Sequence, residues 1–261
     1  MSPVAEGKLR LGGMALRNGL LVHGPTHWAA SVRDDAGEIR TASGRKPRLH
    51  GVDGVPGVRG VVRLGEAFAV IPLVKRALPS AKLPFESPSV LAVAAGASLT
   101  GALLRRRMAG PAAEAAAAAL SLAPAVLALR GGELAAYHGV EHKAIAGYEE
   151  GADAAEQDKE HDRCGSHLVT PMLAAATVGN VAARRAGLRG AAAEAAVGLG
   201  SAAVAVEVFA WSERHSGSAA ARLLRKPGYE IQRLIGTREP TPEQLEVGEA
   251  ALAEILRVES A

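Results

Sequence analysis

The chain has few aromatic residues: Phe, Tyr and Trp together make up 3% of its 261 residues. A soluble core of this size ordinarily uses more large rings, so close packing of small-residue helices, as found in membranes, is the alternative. There is one cysteine, Cys164, which excludes an intrachain disulfide framework and fits a reducing cytoplasm. The net charge is only +3, and no basic patch is interleaved with aromatics, so nucleic acid is not expected as a partner. There is no phosphate-binding G-x-x-x-x-G-K-[ST], no strand-linked G-x-G-x-x-G and no G-x-S-x-G elbow. Their absence leaves no support for classical nucleotide use or a serine nucleophile. No cleavable signal peptide is visible in MSPVAEGKLRLGGMALRNG, so membrane insertion is expected to rest on internal segments.

Four Ala-rich segments supply those candidates. Residues 88–104 carry no charge and end at Arg105-Arg106-Arg107, and 111–129 contain Glu114 and Pro124. Residues 168–183 end at Arg184-Arg185, and 191–212 contain Glu194 and Glu207. Alanine is marginal on insertion scales, so an Ala-rich soluble bundle is the competing reading. The expected fold is mainly α, a polytopic membrane helical bundle of about four apolar segments. A small β-containing N-terminal element and a C-terminal amphipathic helix complete it. The expected divisions are a soluble element at 1–66, a membrane-associated helical core at 67–236 and a soluble helix at 237–261. Glu207 reads either as an intramembrane acid facing a bundle interior or as a helix-end Glu reaching the interface. The bacterial inner membrane is the expected location. The arginine-rich turns and the basic flanks disagree under the positive-inside rule, and cytoplasmic termini are favoured.

Within the N-terminal element, Leu20–His23 and Trp28–Val32 read as partner strands, with a turn at Arg33-Asp34-Asp35-Ala-Gly. Residues 41–57 are basic and Gly/Pro-rich and read as a loop. His23 and His27 flank Gly24-Pro25 and read as turn or surface histidines. Residues 58–78 are amphipathic around Pro72 and suit an interfacial helix or an ordinary surface helix. Residues 213–236 carry Arg222, Arg225 and Lys226 beyond an apolar segment, as an interfacial anchor would. In 237–257, Thr241 is a fitting N-cap with Pro242 at the first helical position, and an apolar stripe follows.

The chemistry concentrates in residues 137–167, which hold four of the eight histidines and Cys164. His138-Gly-Val-Glu141-His142 reads H-x-x-E-H, which on a helix puts both imidazoles and the carboxylate on one face. Two imidazoles suit zinc or another divalent transition metal, and in the inverzincin form of this pattern the Glu is the general base. His161 and Cys164 follow about 20 residues later as candidates to complete the ligand set. Arg163 beside Cys164 would favour the thiolate. Glu149 lies near the same helical face and reads as an extra ligand or a solvated helix-end Glu. His167 reads as the start of an apolar segment at the interface.

Around YHGVEHKAIAGYEEG and HDRCGSH the chain resembles the YqhQ-like family of bacterial membrane proteins, a domain of unknown function labelled a predicted metal-dependent enzyme. Gly12-Gly13-Met-Ala-Leu-Arg17, Arg59-Gly60-Val61 and Thr237-Arg238-Glu239-Pro240 resemble further blocks of that family, in family order. The resemblance implies a multispanning inner-membrane protein and a metal motif carried by His138, Glu141, His142, His161 and Cys164. Asp162 and Ser166 stand where the family usually has Pro and Thr.

The expected function is metal-dependent hydrolysis at the membrane, with Glu141 catalytic, zinc the expected ion, and His138, His142, His161 and Cys164 as its ligands. The alternative is a non-enzymatic membrane scaffold or regulator with a structural metal. An ion carrier lined by Glu207 and the motif is a third reading. The lipid bilayer is the expected partner, and the small-residue helices would permit a homo-oligomer or a protein partner.

Overall fold

The computed structural model describes residues 7–52, 55, 57–108, 110–130 and 132–261. Residues 1–6 of the N-terminal stretch, and Asp53, Gly54 and Pro56 of the expected loop, lie outside the described residues. Four strands, β1 (Gly12–Leu16), β2 (Gly19–His23), β3 (His27–Arg33) and β4 (Ile39–Arg45), form an antiparallel meander in chain order. Both of its faces are covered. On one, Leu20, Val22 and Ala29 join Val140, Val247, Ala251 and Ile255. On the other, Leu21, Trp28, Ala30 and Val32 meet Val70, Val74 and Leu78. Burial on two faces explains why β2 reads as a continuous apolar run rather than an alternation. Each of these fully buried aliphatic side chains contributes on the order of 1.5–3 kcal/mol relative to exposure.

The sheet corrects the sequence reading in two places. Residues 41–45 belong to β4, not to a loop: Thr41 to Arg45 pair with Ser31 to His27 through the backbone. β4 is a polar edge strand whose pairing rests on main-chain bonds and on the Ser31–Thr41 hydroxyl contact at 2.7 Å. His23 is not at the surface. It is buried on β2, and burial, with Lys46 nearby, lowers its pKa to about 4.

The amphipathic stretch 58–78 divides into α1 (Val58–Ala69) and α2 (Ile71–Ala77). Pro72, in the first turn of α2, lacks the N–H that would continue α1. α2 packs under the sheet through Val74, while Pro72, Leu73, Arg76 and Ala77 stay exposed. α1 exposes Val58, Leu64 and Phe68.

The helical bundle comprises α3 (Pro88–Arg107), α4 (Pro111–Leu120), α5 (Ala123–Arg130), α7 (Val169–Arg185) and α8 (Ala191–Arg214), with α6 (Glu133–Glu150) interposed in the chain. Among the described residues, three stretches, Pro88–Arg107, Pro111–Arg130 and Ala191–Arg214, are long and apolar enough to cross a membrane. The expected fourth, α7, has 17 residues and carries Thr170, Thr177 and Asn180, so it falls short of the other three. It nevertheless reaches the far end of the bundle, where Arg184 pairs with Glu114 at 2.5 Å and donates to the Arg105 carbonyl at 3.2 Å. Glu207 lies within α8 and accepts from Arg59 at 2.9 Å and from the Gly57 N–H at 3.0 Å, docking the start of α1 on that helix.

Beyond α8 come α9 (Ala219–Ile231), a π-helical turn at Gln232–Gly236 and α10 (Pro242–Glu259). α10 opens with a capping box between Thr241 and Gln244 and lies across the sheet and α6. Arg33 reaches it through the Glu243 carbonyl at 2.6 Å.

Candidate metal centre

α6 is bounded by glycines in the left-handed region, Gly132 before it and Gly151 after it. Its central turn puts His138 and His142 on one face, with ring centroids 4.4 Å apart. Cys164 arrives from the other side, capping the 3₁₀ turn Gly165–Leu168 that leads into α7. Ligand atoms of His138, His142 and Cys164 all lie within 4.8 Å of one another, and His138 Nε2 is 3.2 Å from Cys164 Sγ.

The outer nitrogen of each ring is already committed. His138 Nδ1 lies 2.7 Å from the Gly236 carbonyl, and His142 Nδ1 lies 2.6 Å from the Lys159 carbonyl. A carbonyl only accepts, so both Nδ1 atoms carry the proton and each Nε2 presents its lone pair, that of His138 toward the Cys164 thiol. Among the described residues, His142 Nε2 is buried with no hydrogen-bond partner. Burial also holds the His142 imidazole below its ordinary pKa, which favours the neutral form that binds metals. A ligating histidine typically has its second nitrogen fixed in this way.

A polar frame holds the two carbonyls in place. Lys143, buried on α6, donates to the carbonyls of Ala155 and Gln157 at 3.1 and 2.6 Å and pairs with Glu239 at 2.7 Å. Gln232, fully buried in the π turn, accepts from the His161 N–H at 2.8 Å and donates to Ser166 Oγ at 2.9 Å. The Arg238 N–H bonds to the Ala135 carbonyl at 2.9 Å, and a Cβ on Gly139 would fall 2.3 Å from the Arg238 carbonyl oxygen. Only glycine therefore lets the 237–240 segment lie this close to α6.

Glu141 lies against strand β1, where its carboxyl faces the Ala15 backbone N–H. Burial raises its pKa, opposed by His138 and His161. It lines a cavity of about 360 Å³ together with His138 and Cys164.

The remaining expected residues fall outside this triad. The His161 ring lies 5.6 Å from that of His142 and tilted to it, but its Nδ1 accepts from the Arg163 N–H at 3.2 Å and its Nε2 faces Glu149 at 3.8 Å. Arg163 is engaged by Glu149 rather than by Cys164. Glu149 is thus a half-buried ion-pair partner, its pKa lowered by His161 and Arg163 against the opposing effect of burial. His167 does precede α7, but it is buried, bonded to the Arg225 carbonyl at 2.9 Å and stacked on Phe209. Sequence reasoning missed Lys143, Gln232 and the carbonyls of Lys159 and Gly236. The Thr237-Arg238-Glu239-Pro240 block was the one signal that the C-terminal segment reaches this site.

No curated protein and no solved structure matches the chain. From the start of α6 into the last turn of α10, residues 133–258 match the family described as protein of unknown function (DUF1385), so the cluster, its polar frame and α10 fall within a DUF1385 domain.

Proposed function

We propose that this chain is a multi-pass protein of the bacterial inner membrane. It binds a zinc-like divalent ion through His138, His142 and Cys164 and catalyses hydrolysis at the membrane interface. One observation carries the reading: two imidazoles with Nδ1 tied to carbonyls turn both Nε2 atoms toward one thiol, and one of those atoms is buried without a partner among the described residues. Three protein ligands leave a fourth position open, the pattern of catalytic rather than structural zinc. His138 and Cys164 of the cluster also line the cavity that Glu141 lines. When bound, the ion supplies Lewis acidity and makes water acidic enough to lose its proton near neutral pH. Glu141, within the cavity but outside the triad, is placed to accept that proton. Amide, ester and phosphoester bonds are the classes such chemistry serves.

The membrane half of the proposal rests on the three apolar helices, and the resemblance to the YqhQ-like family supports both halves. Cytoplasmic termini are part of the same proposal.

The test is metal content by mass spectrometry on detergent-purified protein, with Glu141→Gln and His138→Ala/His142→Ala beside the wild type. About one ion per chain is expected in wild type and Glu141→Gln, and none in the double variant. Retained metal with lost hydrolysis in Glu141→Gln supports catalysis. Metal loss that lowers stability, with Glu141→Gln silent, favours a structural ion. Metal-free wild type purified without chelator sinks the centre.

A further inference from the structure

We infer that the cavity beside the cluster takes the hydrocarbon chain of an acyl amphiphile, with the polar group of that molecule at the His138–Cys164 wall. The placement of the polar group rests on the metal-centre reading above, whereas the binding of the chain stands on the cavity itself. At about 360 Å³ the cavity is within the range of small-molecule sites. Its lining is of two chemical kinds. His138, Glu141 and Cys164 contribute ionisable groups, while Phe68, Phe85, Ala128 and Leu129 contribute apolar surface.

Part of the apolar lining belongs to a candidate span. Ala125, Ala128 and Leu129 belong to the last turns of Pro111–Arg130, a stretch apolar enough to cross a membrane. Phe68 and Phe85 are 48% and 56% exposed, and each lines the cavity while also reaching its surroundings. Phe68 comes from α1, whose start is held to α8 by Arg59 and Glu207. The cavity therefore brings ionisable groups of α6 and the Cys164 turn together with apolar side chains of α1, Phe85 and a candidate span. A water-soluble polar substrate would find apolar walls along most of this cavity. An acyl chain finds an apolar wall continuous with the outer surface of α5, and its polar end meets His138, Glu141 and Cys164.

The probe is hexadecanoic acid carrying a mid-chain diazirine, photolysed with the full-length protein in lipid nanodiscs and mapped by peptide mass spectrometry. Label is expected on peptides containing Phe85, Leu129 and Leu134, displaced by excess unmodified hexadecanoic acid. Ala128→Phe fills the cavity and should remove most of that label. Ala125→Trp does the same from an exposed position of the lining, where the fold tolerates it. Both variants should keep the metal content of the wild type. Label that persists in both folded variants, or that falls only on α3 and α8, overturns the inference. Blockable cavity label on a wild type that holds no metal supports chain binding while sinking the metal-centre reading, so the two failures are distinct.

Discussion

The Cβ that Gly13 lacks would lie 2.7 Å from Cγ of Glu141. The first strand of the sheet therefore presses bare backbone against the carboxylate-bearing side chain of the H-x-x-E-H turn. This contact ties the N-terminal glycine pair to a motif more than a hundred residues away in the chain.

Gly13→Ala should cost about 1 kcal/mol and displace the Glu141 carboxyl, because the obstructing atoms belong to a side chain that can move. Most of that cost should vanish in a Glu141→Ala background, where the clash is gone. Thermal unfolding of the four variants of this cycle in detergent provides the check. Equal penalties in the two backgrounds would show that the residues do not touch.

The four-ligand expectation and the three-ligand geometry separate at His161. Because its ring nitrogens face the Arg163 N–H and Glu149, His161→Ala should retain bound metal. His138→Ala, His142→Ala and Cys164→Ala should each lose it. Metal loss in His161→Ala equal to that in His142→Ala would restore His161 as a ligand.

Two helical glycines should respond to alanine with opposite sign. Gly65 in α1 has open space where a Cβ would be, so Gly65→Ala should stabilise by roughly 0.5–1 kcal/mol through helix propensity. Gly139 in α6 faces a main-chain oxygen that cannot rotate away, so Gly139→Ala should destabilise by roughly 1–3 kcal/mol and weaken metal retention. Melting temperatures shifting the same way in both would remove the close-approach argument.

Acid should destabilise the head through His23. Its folded pKa of about 4 lies below its ordinary 6.5, so between those values the unfolded chain binds a proton that the folded chain refuses. Stability is unaffected by this group above the upper value and falls as the pH drops toward the lower one, by up to roughly 3 kcal/mol. His23→Phe should flatten that part of the pH profile of thermal unfolding relative to wild type. An unchanged profile would show that His23 is solvated in the folded protein.

Features that depend on neighbours in the chain were readable from sequence. The helical face of His138, Glu141 and His142 follows from i, i+3, i+4 spacing. The cap at Thr241-Pro242 follows from the chemistry of a helix start, and β2 and β3 from apolar runs closed by turn residues. The β4 strand was not readable, because a polar edge strand is held by main-chain pairing and shows no alternation. The burial of His23 was equally hidden, since Gly24-Pro25 predicts a turn but not what covers it. α7 shows the limit of composition: an Ala-rich segment is nearly neutral toward lipid, so its length and polar residues decide.

By itself the sequence determined the mainly helical class with a small β element, the motif helix and the residue types able to bind a metal, because these rest on local spacing and side-chain chemistry. Only the tertiary structure decided which of those residues meet. Folding brings Cys164 to His138, turns His161 toward Glu149, and sets the Lys159 and Gly236 carbonyls against the two imidazoles. The physical reason is that a backbone carbonyl has the same chemistry at every position. Its role as a ligand-orienting acceptor comes from where the chain places it, and no side chain in the sequence records that.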